Sequence, residues 1–195
     1  MNALPQLQAI FEKLKSGYHI SLEDGLLHGR LMENFDEYAE YFEGLGLKLI
    51  RHERDFFYFE PTERETISAY LPKVAVFAYV LIDHIASQGQ PIEETIMTAT
   101  FSLRALHHFS LDSYRSHLRQ VGLNEPDDLR DVVLYLSRIG WAKFVGIEEF
   151  RFLRPFYRIF ERCLELSKLS DQRAADISPE GHSVLGVMEG DHLDA

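Results

Sequence analysis

The residues best suited to do chemistry in this chain are cations. Arg154, Arg158 and Arg162 stand four apart, so a helix opened by Pro155 carries all three on one face. Arg151 comes just before them. Arg104, Arg115, Arg119 and Lys143 lie upstream, and residues 97–111 contain no acid. A row of guanidinium and ammonium groups at this spacing suits phosphate oxygens, read without regard to base sequence. The same row suits salt bridging to neighbouring acids such as Glu161 and Glu165. These eight cations are the candidate DNA contacts.

The opposite charge gathers towards the front. A helix over 34–44 puts Phe35, Tyr38, Ala39 and Phe42 on one face and Asp36, Glu37, Glu40 and Glu43 on the other, with no basic residue among them. That face repels phosphates and suits a protein partner. Downstream, Phe56-Phe57-Tyr58-Phe59 is a strand with an aromatic pair on each side. A two-stranded hairpin has one core to face, so one pair needs cover from another element or another chain. The four acids and the four aromatics are the candidate protein interface.

Catalytic patterns are missing. His107, His108 and His117 with Asp112 fall within eleven residues, but no two histidines sit four apart with a glutamate between them, and no second cysteine exists. The expectation is no metal, with the histidines solvated or lining a groove. Gly44-Leu-Gly46 lacks the third glycine of a phosphate cradle, and no Gly-x-Ser-x-Gly elbow occurs. Cys163 reads as helix packing rather than a nucleophile. No cofactor and no enzymatic activity are expected.

The chain has 195 residues and a net charge of −11. By segment, residues 1–96 are net −8, residues 97–169 net +2 and residues 170–195 net −5. The longest apolar run, Val74 to Ile82, is too short for a membrane crossing, which takes roughly 18–20 residues. With no secretory signal and one cysteine, a cytoplasmic location is expected.

These surfaces need a scaffold, and periodicity supplies one. Leu4, Leu7, Ile10, Phe11 and Leu14 mark a first helix stopped by Gly17, and His19-Ile20 begins a short strand. After helix 34–44, residues 45–51 and 56–60 alternate as two strands about a charged tip. Lys73–Ser87 is a strongly apolar helix, Ile92–Leu106 more helical material, and Asp112–Gln120 another helix. Pro126 opens a helix closed by Gly140. A second hairpin spans Trp141–Leu153, and a last helix runs to about Ser167. Helix, helix, hairpin thus occurs twice, giving a mainly α fold with two small β-hairpins (α+β), read as tandem winged-helix domains. The domains are residues 1–66 and 67–169, followed by an acidic tail, 170–195, expected to be disordered.

The stretches Leu14-Lys-Ser-Gly-Tyr-His-Ile20, Leu47-Lys-Leu-Ile-Arg51 with Phe56-Phe-Tyr-Phe-Glu-Pro61, and Leu136-Ser-Arg-Ile-Gly-Trp-Ala-Lys-Phe-Val145 resemble, in order and spacing, the MukE/MksE family of bacterial condensin subunits, and MksE most closely. The resemblance spans most of residues 7–160. It implies a nucleoid-associated homodimer that binds a kleisin subunit (MksF-like), which bridges an SMC-type ATPase (MksB-like). Such a subunit serves chromosome organisation, segregation or plasmid defence and is itself non-catalytic. Weak, sequence-independent DNA contact fits the basic middle of the chain. The competing reading is a stand-alone winged-helix transcription regulator, to which the acidic 34–44 face is ill suited.

Overall fold

The computed structural model describes residues 4–61 and 69–163. Helix α1, Leu7–Lys15, buries Ile10 and Leu14. The chain then turns through Gly17 and lays Ile20 against Phe57 as a single antiparallel bridge. A short 3-10 turn, Leu22–Asp24, follows Ser21, where the Asp24 carboxylate accepts the Ser21 backbone N–H at 2.9 Å. Helices α2, Leu26–Glu33, and α3, Phe35–Glu43, follow, then strands β1, Leu49–His52, and β2, Phe56–Phe59, in antiparallel register Leu49↔Phe59 to His52↔Phe56. Ile10, Leu14, Ile20, Leu31, Tyr38, Phe42, Leu49 and Phe57 fuse into one core.

The second half is built around α4, Tyr70–Ser87. By length and composition alone this helix passes for a membrane span. It instead sinks Val74, Phe77, Ala78, Leu81 and Ile85 against α5, Ile92–Thr98, α6, Asp112–Gln120, and α7, Pro126–Arg138. Pro126 takes the first helical position of α7, where its missing N–H costs nothing. The Asp128 carboxylate accepts the Asn124 and Glu125 N–H groups at 2.6 and 3.0 Å, which lowers its pKa.

Strands β4, Ala142–Phe144, and β5, Glu149–Phe152, form the second hairpin. The helical reading of Ile92–Leu106 is corrected here. The helix stops at Thr98, and Phe101–Ser102 become strand β3, so the sheet has three strands in the order β3-β5-β4. Phe101 stacks on Phe150 at 5.7 Å, and the Leu103 N–H donates to the Glu148 carbonyl at 2.8 Å. A 3-10 turn over Arg154–Phe156 leads into the last helix, described over residues 157–163. The fold class read from the sequence holds: mainly helical, with two small antiparallel sheets. The expectation for 170–195 lies outside the described residues.

The two halves meet at Gly140. Its φ of +76° lies in the left-handed region, and a Cβ there would stand 2.7 Å from the His19 carbonyl oxygen and 2.8 Å from the Tyr18 ring. Only a glycine lets the end of α7 come this close. The His19 N–H uses the approach and donates to the Ile139 carbonyl at 3.0 Å.

Candidate protein and nucleic-acid interfaces

Both faces of β2 are covered within this chain. Phe57 packs against His28 and Phe35 at 5.5 and 6.0 Å, and Phe59 meets Phe42 edge-on at 5.0 Å. On the opposite face, Phe56 lies parallel to His52 at 4.2 Å, and Tyr58 stacks on His19 at 5.2 Å. Phe56 and Phe57 are fully buried, so neither presents anything to a partner. Tyr58 and Phe59 are half-buried. The cover that the aromatic strand needs comes from the same chain, because the second half closes over the Phe56–Tyr58 face.

That closure uses several of the cations first assigned to DNA. Arg158 lays its guanidinium 4.1 Å over the Tyr58 ring and donates to His19 Nε2 at 2.7 Å. Trp141 meets the His19 ring edge-on at 5.4 Å. Burial first, and Arg158 second, push the His19 pKa down to about 3, so the imidazole is neutral and free to accept a hydrogen bond from Arg158. Arg151 and Lys143 both clamp Glu23, at 2.7 and 3.3 Å. Arg154 reaches Asp55 at 3.7 Å. From the other side, Arg54 lies 4.2 Å over the Tyr157 ring and pairs with Glu93 at 3.2 Å and Glu161 at 3.6 Å.

Lys143, Arg151, Arg154 and Arg158 therefore line a seam between the halves. Salt bridging, the alternative use of such a row, accounts for three of them, though the acids come from the first half rather than from the same helix. Arg104 pairs with Glu148, and Arg115 with Asp112 at 2.8 Å. Arg119 and Arg162 are exposed.

Asp36, Glu37, Glu40 and Glu43 are all exposed on α3, and none is in an ion pair among the described residues. Tyr41 and Leu45, 45% and 56% exposed, flank them. Of the histidines expected to be solvated or to line a groove, His107 and His117 are exposed and His108 is buried. His108 is in the core, stacked on Phe77 at 4.4 Å and donating from Nε2 to its carbonyl at 2.9 Å, with its pKa lowered by burial to about 4. His84 and His107 stack at 4.0 Å. Among the described residues no cluster of His, Cys, Asp and Glu could hold a metal. Burial raises the Cys163 thiol to about 11, which removes it as a nucleophile near neutral pH.

The family model described as "Condensin complex protein MksE" matches residues 5–164. The chain belongs to the MksE family. It is similar to the chromosome partition protein MukE of Escherichia coli O157:H7, 26% identical over 204 residues that cover 98% of this chain and 86% of that protein. MukE of Yersinia pseudotuberculosis serotype I is 23% identical over 181 residues, covering 87% of this chain and 76% of that protein. The family match spans the seam and both hairpins. The sequence resemblance to the MukE/MksE family is thereby confirmed, and the cations and acids described above belong to a condensin complex protein.

Proposed function

We propose that this chain is a non-catalytic condensin subunit that acts as a homodimer and docks on a kleisin subunit through the acidic face of α3. The observation that carries the reading is the set of four exposed carboxylates at Asp36, Glu37, Glu40 and Glu43, none in an ion pair among the described residues, flanked by exposed Tyr41 and Leu45. An acidic face flanked by exposed apolar side chains suits a basic, partly apolar peptide and repels DNA. The kleisin in turn engages an SMC-type ATPase, where ATP hydrolysis resides. Residues 1–66 and 67–169 act as two winged-helix domains, and exposed cations of the second, Arg104, Arg115, Arg119 and Arg162, give weak, sequence-independent DNA contact. The subunit works in the cytoplasm on the nucleoid, in chromosome organisation, segregation or plasmid defence.

Light-scattering mass of the purified chain, alone and mixed with a candidate kleisin, tests this. The expected result is a dimer near twice 22.6 kDa that shifts to a stoichiometric complex. Glu37→Lys with Glu40→Lys should weaken that complex at least about tenfold by reversing the charge of the docking face. A monomer that ignores the kleisin and binds one operator saturably would put the transcription-regulator reading in its place.

A further inference from the structure

Lys143 and Arg151 are directly opposite partners in the β4–β5 pair, so both side chains leave the same face of the sheet. Two cations in that arrangement repel each other. A single carboxylate, brought from 120 residues earlier in the chain, holds them: Glu23 gives Oε2 to Lys143 and Oε1 to Arg151. Beside it opens a cleft of about 220 Å³ whose lining includes Ser21, Glu23, Arg151, Arg154 and Tyr157. Two donors at this cleft are unspent. Among the described residues Arg151 Nε is buried without a hydrogen-bond partner, and the hydroxyl of Ser21, 1% exposed, accepts from the Asp24 N–H of its capping turn but has no acceptor for its own proton. Arg154, also lining the cleft, makes only long contacts, 3.7 Å to Asp55 and 3.4 Å to the Arg54 carbonyl. Two cations therefore share the two oxygens of one carboxylate, itself one-third exposed, with Arg154 and two idle donors also lining the cleft.

We propose that this cleft is a phosphate site for which Glu23 is the built-in competitor. An incoming phosphate group displaces the Glu23 carboxylate from Lys143 and Arg151, and its further oxygens accept hydrogen bonds from Arg151 Nε–H and the Ser21 hydroxyl. The proposal rests on the DNA-contact reading above and adds a location and a regulator to it. The first half holds the acid that keeps the second half's cations occupied. The phosphate comes either from a DNA backbone or from a free phosphate or nucleotide, and the two sources are separated by the test.

The full chain is titrated against a labelled duplex of arbitrary sequence at several salt concentrations, and separately against inorganic phosphate and ATP by calorimetry. Four proteins are compared: the natural chain, Glu23→Gln, Glu12→Gln as an equal charge change elsewhere, and Glu23→Gln combined with Lys143→Ala and Arg151→Ala. Glu23→Gln should bind duplex roughly five- to tenfold tighter, with a salt slope steeper by about one to two. Glu12→Gln should stay within about twofold of the natural chain, and the triple variant should lose the gain. Equal gains in Glu23→Gln and Glu12→Gln, or a gain that survives in the triple variant, would overturn the proposal. If no variant binds duplex but Glu23→Gln binds inorganic phosphate or ATP, the site stands and the DNA reading fails. If nothing binds at all, both fail.

Discussion

The two hairpins are built to one plan and put to opposite uses. The first carries aromatics on both faces of β2 and is enclosed on both. Its tip, Arg54 and Asp55, is locked to Glu93, Glu161 and Arg154 of the other half. The second has Lys143 and Arg151 on one face and projects its tip outward, with Val145 48% and Ile147 85% exposed. A four-residue aromatic strand cannot remain a surface wing, because leaving either face wet would expose two large rings. The first hairpin has thus become an internal brace, and the second is free to meet other molecules.

The largest break in this contrast comes from Phe57→Ala, which empties a fully buried ring site and should cost about 3–5 kcal/mol in denaturant unfolding. Gly140→Ala should follow at roughly 2–4 kcal/mol, from left-handed strain plus overpacking against His19 and Tyr18. Gly46→Ala is its control, with φ +74° and nothing within 4 Å of a Cβ, and should cost only about 1 kcal/mol.

Acid should loosen both halves together. His19 and His108 have folded pKa values near 3 and 4, below the unfolded value of about 6.5. Their contribution is therefore complete above pH 6.5 and is lost as pH falls towards 4 and then 3. Stability measured against pH should show a slope of about two protons near pH 5, and His108→Gln should remove one of them. A flat profile from pH 7 to 5 would contradict the burial of both rings. Arg54→Ala should cost about 1 kcal/mol, from a lost cation–π contact and part-exposed ion pairs, and less at high salt. At the bottom of the scale, Ile147→Ser at the free tip should stay within about 0.5 kcal/mol of the natural chain.

Much of the fold could be read from local pattern. α1, α3, α6 and α7 have clean apolar stripes, and Gly17, Pro126 and Gly140 mark their ends. The hairpins follow from two-residue alternation and charged turns. α2 did not announce itself, because Leu-Leu-His-Gly-Arg-Leu-Met-Glu buries only His28 and Leu31 and carries a glycine mid-helix. β3 is two residues long and exists only because Phe101 finds Phe150. The seam was invisible for a different reason. Its pairs join residues far apart in sequence, such as Arg154 with the Arg54 carbonyl, 100 apart, and Arg158 with His19, 139 apart. Sequence spacing showed which residues were charged but not which acids they would meet. The α3 acids kept their predicted exposure because four carboxylates on one face gain nothing from burial without cationic partners.

The His19–Tyr58–Arg158 stack also has a consequence in time. During synthesis the aromatic face of the first half is made long before the helix that covers it, Arg158 following Tyr58 by 100 positions. At ribosomal rates of about 5–20 residues per second, that face waits roughly 5–20 seconds uncovered. The nascent chain passes through a window in which Phe56 and Tyr58 are adhesive, and its yield in the cell should depend on chaperone occupancy during that interval.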